Sequence, residues 1–561
     1  MGPTTSRASV LFTLFAIGFA LVVVRLFYWQ IISGARLRKD AANQHFIQFT
    51  IPASRGEILD VKGEPIVVNQ PAYVVFGEPR VITDVRDFAQ KVGSILSLDV
   101  EKMIADLSDK DRVWVPFAHK VELPIVSQLK ALNLSGLGFE KEPKRFYPEA
   151  STAAHLTGFV GLDVNGVDKG YFGLEGYYDR QLRGIDGVRR LEKDAHGAPI
   201  LISEEDRISP EDGRSLVLWM DKVVQQIVER RLAEGIQRYG AKEGSIVVMD
   251  PTTGGILAMA SYPGYDPRSY SSYDRALYKN PIVASSFEPG STFKALIMAA
   301  AIDEKLVKPD TVMDEDAPVK VGPYLIRTWN NQYHGKITMT QVLEYSSNVG
   351  MVYVAKALGR EKLLAAIKKY GFGKLTNVDL EDEATPDLRP EKDWYEVDEY
   401  TASFGQGIAV TPLQMVRAVA ALANGGRLME PHVVKEIREA NGKVITVPPK
   451  LTAQVLKPET SRVVTEMMVA AVDNGEAKWA KPKGYRVAGK TGTAQIPIAG
   501  HYDASKTIAS FVGFAPADKP RFVMLVTLRE TTSSPWGSET AAPLFFTIAR
   551  DLFTYWGIPP Q

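Results

Sequence analysis

The sequence predicts an α+β fold in which about five antiparallel strands are covered by helices and stand beside an all-helical cluster. Two hairpins and one further strand carry the sheet. Residues 245–250 and 256–260 are apolar runs joined across Pro251-Thr252-Thr253-Gly254-Gly255, and 508–514 and 522–528 are joined across Ala517-Asp518-Lys519-Pro520. The fifth strand, 485–496, is rich in β-branched residues and flanked by glycine. Helices are predicted before, between and after these strands. The first spans 221–239, with apolar residues at Val223, Val224, Ile227, Leu232 and Ile236. Later ones follow Ser291, cover 338–344 and 349–359, run from Thr411-Pro412 to Asn424-Gly425-Gly426, and close the chain from about Ala542-Pro543.

Composition bounds the function. At 561 residues, with 45% apolar and 24% charged content, the chain is long enough for two or three folded domains. Lys+Arg and Asp+Glu are both 66, so net charge favours neither nucleic acid nor an acidic surface. The absence of cysteine excludes disulfides and thiolate chemistry. The seven histidines are scattered without zinc-ligand spacing, so no metal and no cofactor is expected.

Residues 8–24 carry no charge, and after Arg25 the apolar run resumes through Ile32. One membrane-spanning helix over 8–32 is expected, with Tyr28 and Trp29 at an interface. No small-x-small cleavage site follows, which favours an uncleaved anchor over a signal peptide. Arg7 on one side and Arg36, Arg38 and Lys39 on the other leave its orientation open.

Chemistry concentrates at Glu288-Pro289-Gly290-Ser291-Thr292-Phe293-Lys294. A Pro-Gly turn followed by good helix formers sets Ser291 near a helix N-terminus, and residues three apart share a helix face. Lys294 can therefore meet Ser291 and act as its base, provided that burial or a positive neighbour lowers its pKa. Alone, Ser-x-x-Lys is common in ordinary helices. Two further stretches give it partners. Ser346-Ser347-Asn348 lies between two apolar helices, and Lys490-Thr491-Gly492-Thr493 lies on the fifth strand, where Gly492 permits close approach of another backbone.

Ser-x-x-Lys, Ser-x-Asn and Lys-Thr-Gly in this order form the motif set of penicillin-binding proteins and serine β-lactamases. The chain resembles a class B penicillin-binding protein of the division type. Ser54-Arg55-Gly56-Glu57 resembles the opening of that family's non-catalytic pedestal, although Val61-Lys62-Gly63 departs from the usual Arg-Asn-Gly. Gly158-Phe159-Val160-Gly161, Gly170 to Glu175 and Ser403-Phe404-Gly405-Gln406-Gly407 are also similar. An internal ion pair between Arg55 and Glu175 is expected there. The resemblance implies a penicillin-binding transpeptidase fold with a cytoplasmic tail over 1–7, a membrane anchor over 8–32, an elongated pedestal of the dimerisation type over 33–214 and a transpeptidase domain over 215–561.

The same resemblance implies the roles. Ser291 would attack the penultimate D-alanine carbonyl of a stem peptide ending in D-Ala-D-Ala, with Lys294 as base and Ser346 and Lys490 relaying the proton. Asn348 would hold a substrate amide, and Thr491, Gly492 and Thr493 would bind along the substrate, the threonines at its terminal carboxylate. The Ser291 and Thr493 backbone N–H groups would form the oxyanion hole. β-Lactams would acylate Ser291. A polytopic glycosyltransferase and other division proteins would be membrane partners, with the catalytic domain outside the cytoplasm of a bacterium and no role for nucleic acid. Tyr502, Trp536 and Ser538 are candidates to line the cleft. Strand alternation sets Lys490 on the face opposite Thr491 and Thr493, so a twist, a bulge or a side chain reaching round the edge is required. A serine β-lactamase needs a water-activating glutamate that the sequence does not identify, and a β-lactam sensor usually carries several membrane helices. Phe287-Glu288-Pro289-Gly290, with its single proline, favours the division type over the elongation type.

Overall fold

The computed structural model describes residues 7–37, 46–192, 206–498 and 501–560. Most of the tail expected over 1–7, and Arg38 and Lys39, lie outside the described residues. The chain forms two compact units, one of residues 1–54, 70–144 and 184–212, the other of 55–69, 145–183 and 213–561.

The first unit contains the apolar helix Arg7–Phe27, continued by a π-helical turn Tyr28–Ile32, and together they are long and apolar enough to cross a membrane. Its strands Phe46–Ile51, Gly187–Glu192 and Asp206–Ile208 pair antiparallel in the order first, second, third. A separate core of Val75, Phe88, Val92, Met103, Leu107, Val126 and Leu129 binds the helices Val85–Leu96, Val100–Ser108 and Leu123–Ala131 to strand Val115–Glu122.

The second unit is built on a five-stranded sheet in the order Ile256–Tyr262, Glu243–Met249, Phe522–Arg529, His501–Ala515, Ala488–Ile498, with every pair antiparallel. One face is covered by helices Lys222–Tyr239 and Ala541–Tyr555 through Val228, Leu232, Phe511, Phe522, Phe545 and Phe553. The first of these starts where Asp221 accepts from Val223 N at 2.9 Å and stops at Gly240, whose φ of 61° suits glycine. The other face packs on a larger core that includes the all-helical cluster.

The helix Lys294–Asp303 runs through that core, and its residues Lys294 to Ala301 are all buried. A helix apolar on every side is stable only when surrounded. Burying Leu296, Ile297 and Met298 contributes roughly 1.5–3 kcal/mol each. The helix that follows the nucleophile candidate and begins at Lys294 is thus held on all sides.

The expected Arg55–Glu175 pair forms, and it is part of a larger cluster. Arg55 Nε lies 2.6 Å from Glu175 Oε2, Arg145 Nε 2.7 Å from Glu175 Oε1, and Arg55 Nη1 2.8 Å from Asp179 Oδ1. A Cβ on Gly170 would stand 1.9 Å from the Glu175 carbonyl oxygen and 2.5 Å from Arg55 Nη2, which explains the glycine. Glu175 is fully buried and holds two guanidiniums. Glu175→Ala should cost about 3–5 kcal/mol in denaturant-induced unfolding, because it strands buried charge. A loss below about 1 kcal/mol would mean that water already screens the cluster.

Candidate active site

The Gly290–Phe293 segment is a single 3₁₀ turn leading into the Lys294 helix, so Ser291 stands one turn before Lys294. Gly290 has φ 55° and donates its N–H to the Gly405 carbonyl at 3.1 Å. A Cβ on Gly405 would lie 2.2 Å from the Gly290 carbonyl oxygen, so both glycines are needed for this contact. The turn rests on the Lys-Thr-Gly strand. A Cβ on Gly492 would meet Thr292 Cγ2 at 2.8 Å and the Pro289 carbonyl oxygen at 3.1 Å. Gly492 therefore serves close approach, here of the turn that carries Ser291.

Lys294 is completely buried, and its Nζ donates to the Ser346 carbonyl at 2.5 Å and to Asn348 Oδ1 at 2.8 Å. It lies 3.3 Å from Ser346 Oγ. Lys490, only 3% exposed, reaches the same Ser346 Oγ from the other side at 3.0 Å. Desolvation first, and then the Lys490 charge, hold the Lys294 amine well below the usual lysine range, which is the condition for it to accept a proton at neutral pH. Desolvation lowers Lys490 to about 8, against an opposing pull from Glu476.

Ser346 has φ 55°, a left-handed backbone that costs a non-glycine residue about 1–3 kcal/mol. Its neighbours fix it there. Ser347 Oγ donates to the fully buried Glu315 carboxylate and accepts from Gly350 N at 2.8 Å, capping the helix that begins at Asn348. Glu315 also accepts from His334 Nδ1 at 2.7 Å, and His334 stacks on Tyr345 at 4.2 Å. Ser347 thus faces away from the lysines. Asn348 is held by Lys294 and, through Nδ2, by the Arg327 carbonyl at 3.0 Å.

The alternation problem at Lys490 has a plain solution. The register with His501–Ala515 runs without a shift from Ala488 to Gln495, so no bulge intervenes there. Instead the lysine folds round its own strand, with Nζ 3.2 Å from Thr491 Oγ1 and 3.2 Å from the Thr491 carbonyl. Thr493 Oγ1 accepts from Gly537 N at 3.0 Å. The expected residues Lys294, Ser346, Asn348, Lys490 and Thr491 are joined in one hydrogen-bonded chain; Ser291, Gly492 and Thr493 sit on the two elements that touch beside it.

Trp536 packs edge-on against Trp329 with ring centroids 4.9 Å apart, and Ser538 is buried rather than on the surface. The Tyr502 side chain lies outside the described part of the chain. Gly405, from the stretch 403–407 that resembles the family, shapes the turn, whereas two residues had no signal in the motifs: Glu315, which fixes Ser347, and Glu476, which bears on both lysines. Among the described residues no acidic, histidine or cysteine cluster offers a metal site.

Comparison with known proteins gives the family. Residues 244–552 match the penicillin binding protein transpeptidase domain and residues 50–218 the penicillin-binding protein dimerisation domain. The chain is 35% identical over 567 residues to stage V sporulation protein D of Bacillus subtilis, covering 99% of this chain and 87% of that one. It is 30% identical over 553 residues to the peptidoglycan D,D-transpeptidase FtsI of Escherichia coli, covering 97% and 90%. Among solved structures, a peptidoglycan synthetase from Bifidobacterium adolescentis superposes with a TM-score of 0.75 at 25% identity, over 92% of this chain and 98% of that one. Penicillin binding protein 3 from Mycobacterium tuberculosis, complexed with aztreonam, gives 0.71 at 27% identity, over 91% and 98%. The chain belongs to the class B penicillin-binding protein family and is an enzyme of the D,D-transpeptidase type, with that family's mixed helix-and-sheet fold.

Proposed function

We propose that this enzyme crosslinks peptidoglycan stem peptides during cell division. Ser291 Oγ attacks the carbonyl of the penultimate D-alanine while Lys294 takes its proton. The peptide bond breaks, and terminal D-alanine leaves as an amine protonated through Ser346 and Lys490. An acceptor amine from a neighbouring stem then attacks the ester, giving a new amide and free Ser291. Thr491 and Thr493 take the donor's terminal carboxylate, Asn348 a substrate amide, and the Ser291 and Thr493 N–H groups the oxyanion. The observation that carries this reading is the chain Lys294–Ser346 Oγ–Lys490, which gives one hydroxyl two buried amines on opposite sides. β-Lactams enter as acylating mimics of the donor.

The division role rests on the single proline before Gly290. It brings with it an uncleaved anchor over 8–32, a tail over 1–7, a pedestal over 33–214, a transpeptidase domain over 215–561 outside the cytoplasm, and a polytopic glycosyltransferase as partner. Supplied with a donor pentapeptide strand and an acceptor strand, the enzyme should release one D-alanine per crosslink, and its depletion should give filamentous cells. D-Alanine release without crosslinks would indicate a hydrolase, and swollen round cells would assign it to elongation.

A further inference from the structure

Two buried amines on one hydroxyl pose a charge problem. With Lys294 Nζ and Lys490 Nζ at 3.3 and 3.0 Å from Ser346 Oγ, both cannot be protonated without an opposing charge. The acidic groups around them differ in reach. Glu315 acts on Lys294 and is bound by Ser347 and His334. Glu344 is taken by Asn474 Nδ2 at 2.7 Å, Asp473 by Lys481, and Glu539 bears on Glu476. Desolvation raises the Glu476 carboxyl above its ordinary value, while Lys490 and then Lys294 pull it back down. Of these acids Glu476 alone acts on both lysines, and it is the one group that holds charge on Lys490.

Its placement is rigid. Glu476 follows the helix Pro458–Asn474, which packs on the Lys-Thr-Gly strand. A Cβ on Gly475 would lie 2.2 Å from the Ala471 carbonyl oxygen and 3.0 Å from that of Glu344, and Ala477 is buried. Ser538 favours the charged form of the carboxylate, while Oε1 is buried with no hydrogen bond from the protein. A buried carboxylate oxygen left without a donor is costly, so it needs a compensating cation nearby. We propose that Glu476 is a positioning residue of the transpeptidase reaction: a partly buried countercharge that keeps the site's proton on Lys490 and so leaves Lys294 free to receive the proton of Ser291.

This rests on Ser291 being the acylated nucleophile. The test is the second-order rate of acylation of the full chain by a fluorescent penicillin, measured from pH 6 to pH 10. In the wild type the rate falls on the basic side as Lys490, at about 8, loses its proton. Glu476→Gln keeps shape but not charge, and should move that limb down by about one pH unit, the size expected for loss of a neighbouring charge. Ser538→Ala keeps the charge and should leave the limb in place. Lys490→Arg, which stays cationic throughout, should lack the limb. A Glu476→Gln profile with an unmoved limb, whether its rate is unchanged or uniformly lower, would overturn the proposal. So would an equal shift in Ser538→Ala, or a limb that persists in Lys490→Arg. If the wild type is not acylated at all, it is the reading of Ser291 that fails, and this inference with it.

Discussion

Replacing Ser291 with alanine abolishes covalent labelling by a fluorescent penicillin, lowering acylation by at least about 10⁴-fold. The size follows from the role. A nucleophile that forms the covalent bond cannot be replaced by a neighbouring group or by water, since neither leaves a stable acyl-enzyme. Ser346 is the other serine hydroxyl in the cluster, but its Oγ lies between two lysine amines and its backbone is held in a left-handed conformation. Ser291 is half-buried at the start of a fully packed helix, so removing its hydroxyl leaves no cavity of consequence, and the melting temperature should change by no more than about 2 °C. Label is read on a gel over time. Stable label on the wild type and none on the variant fits a transpeptidase acyl-enzyme. Rapid loss from the wild type would indicate a β-lactamase, and undiminished label on Ser291→Ala would assign the chemistry to another serine.

How much of this was legible in the sequence depends on the range over which each residue acts. Ser291 and Lys294 lie one turn apart by local chain geometry alone, so their placement could be read from their spacing. Asp221, Thr338 and Thr411 cap helices within three residues of themselves, and those boundaries follow from local pattern. Gly359 was expected to end a helix. It breaks the helical path with φ 71° and ψ 163°, yet the chain resumes a helix at once, so the whole runs from Asn348 to Lys369. The strand His501–Ala515 begins earlier than its apolar portion because the polar residues 501–507 continue the hairpin pairing with Gln495–Ile498. What the sequence withheld are contacts made by shape or charge across the fold. Gly405 stands in a stretch that the family resemblance singles out, but its close contact with Gly290 shows only in the fold. Glu476 looks like any loop glutamate until folding sets it beside two buried lysines.

Replacing Lys294 with methionine, which is close in volume, should lower acylation by about 10²–10⁴-fold, the usual range for a lost general base. The same change should alter how stability depends on pH. Lys294 sits well below its unfolded value of 10.5, so between its folded value and 10.5 the unfolded chain binds a proton that the folded chain lacks. Stability of the wild type therefore rises with pH from above the folded Lys294 value up to 10.5, by as much as about 1.4 kcal/mol per pH unit for one proton. Lys490 adds a second such term, but only between about 8 and 10.5. In Lys294→Met the rise below pH 8 should vanish and the rise above it remain, which denaturant titrations at a series of pH values will resolve. The methionine also strands the Ser346 carbonyl and Asn348 Oδ1, each deprived of a donor at about 1–3 kcal/mol, so part of the stability gained by removing a buried amine is lost again. If the variant acylates at the wild-type rate, the base is not Lys294. If acylation falls but the slope below pH 8 persists, Lys294 is charged in the folded protein and Ser291 is activated by another route.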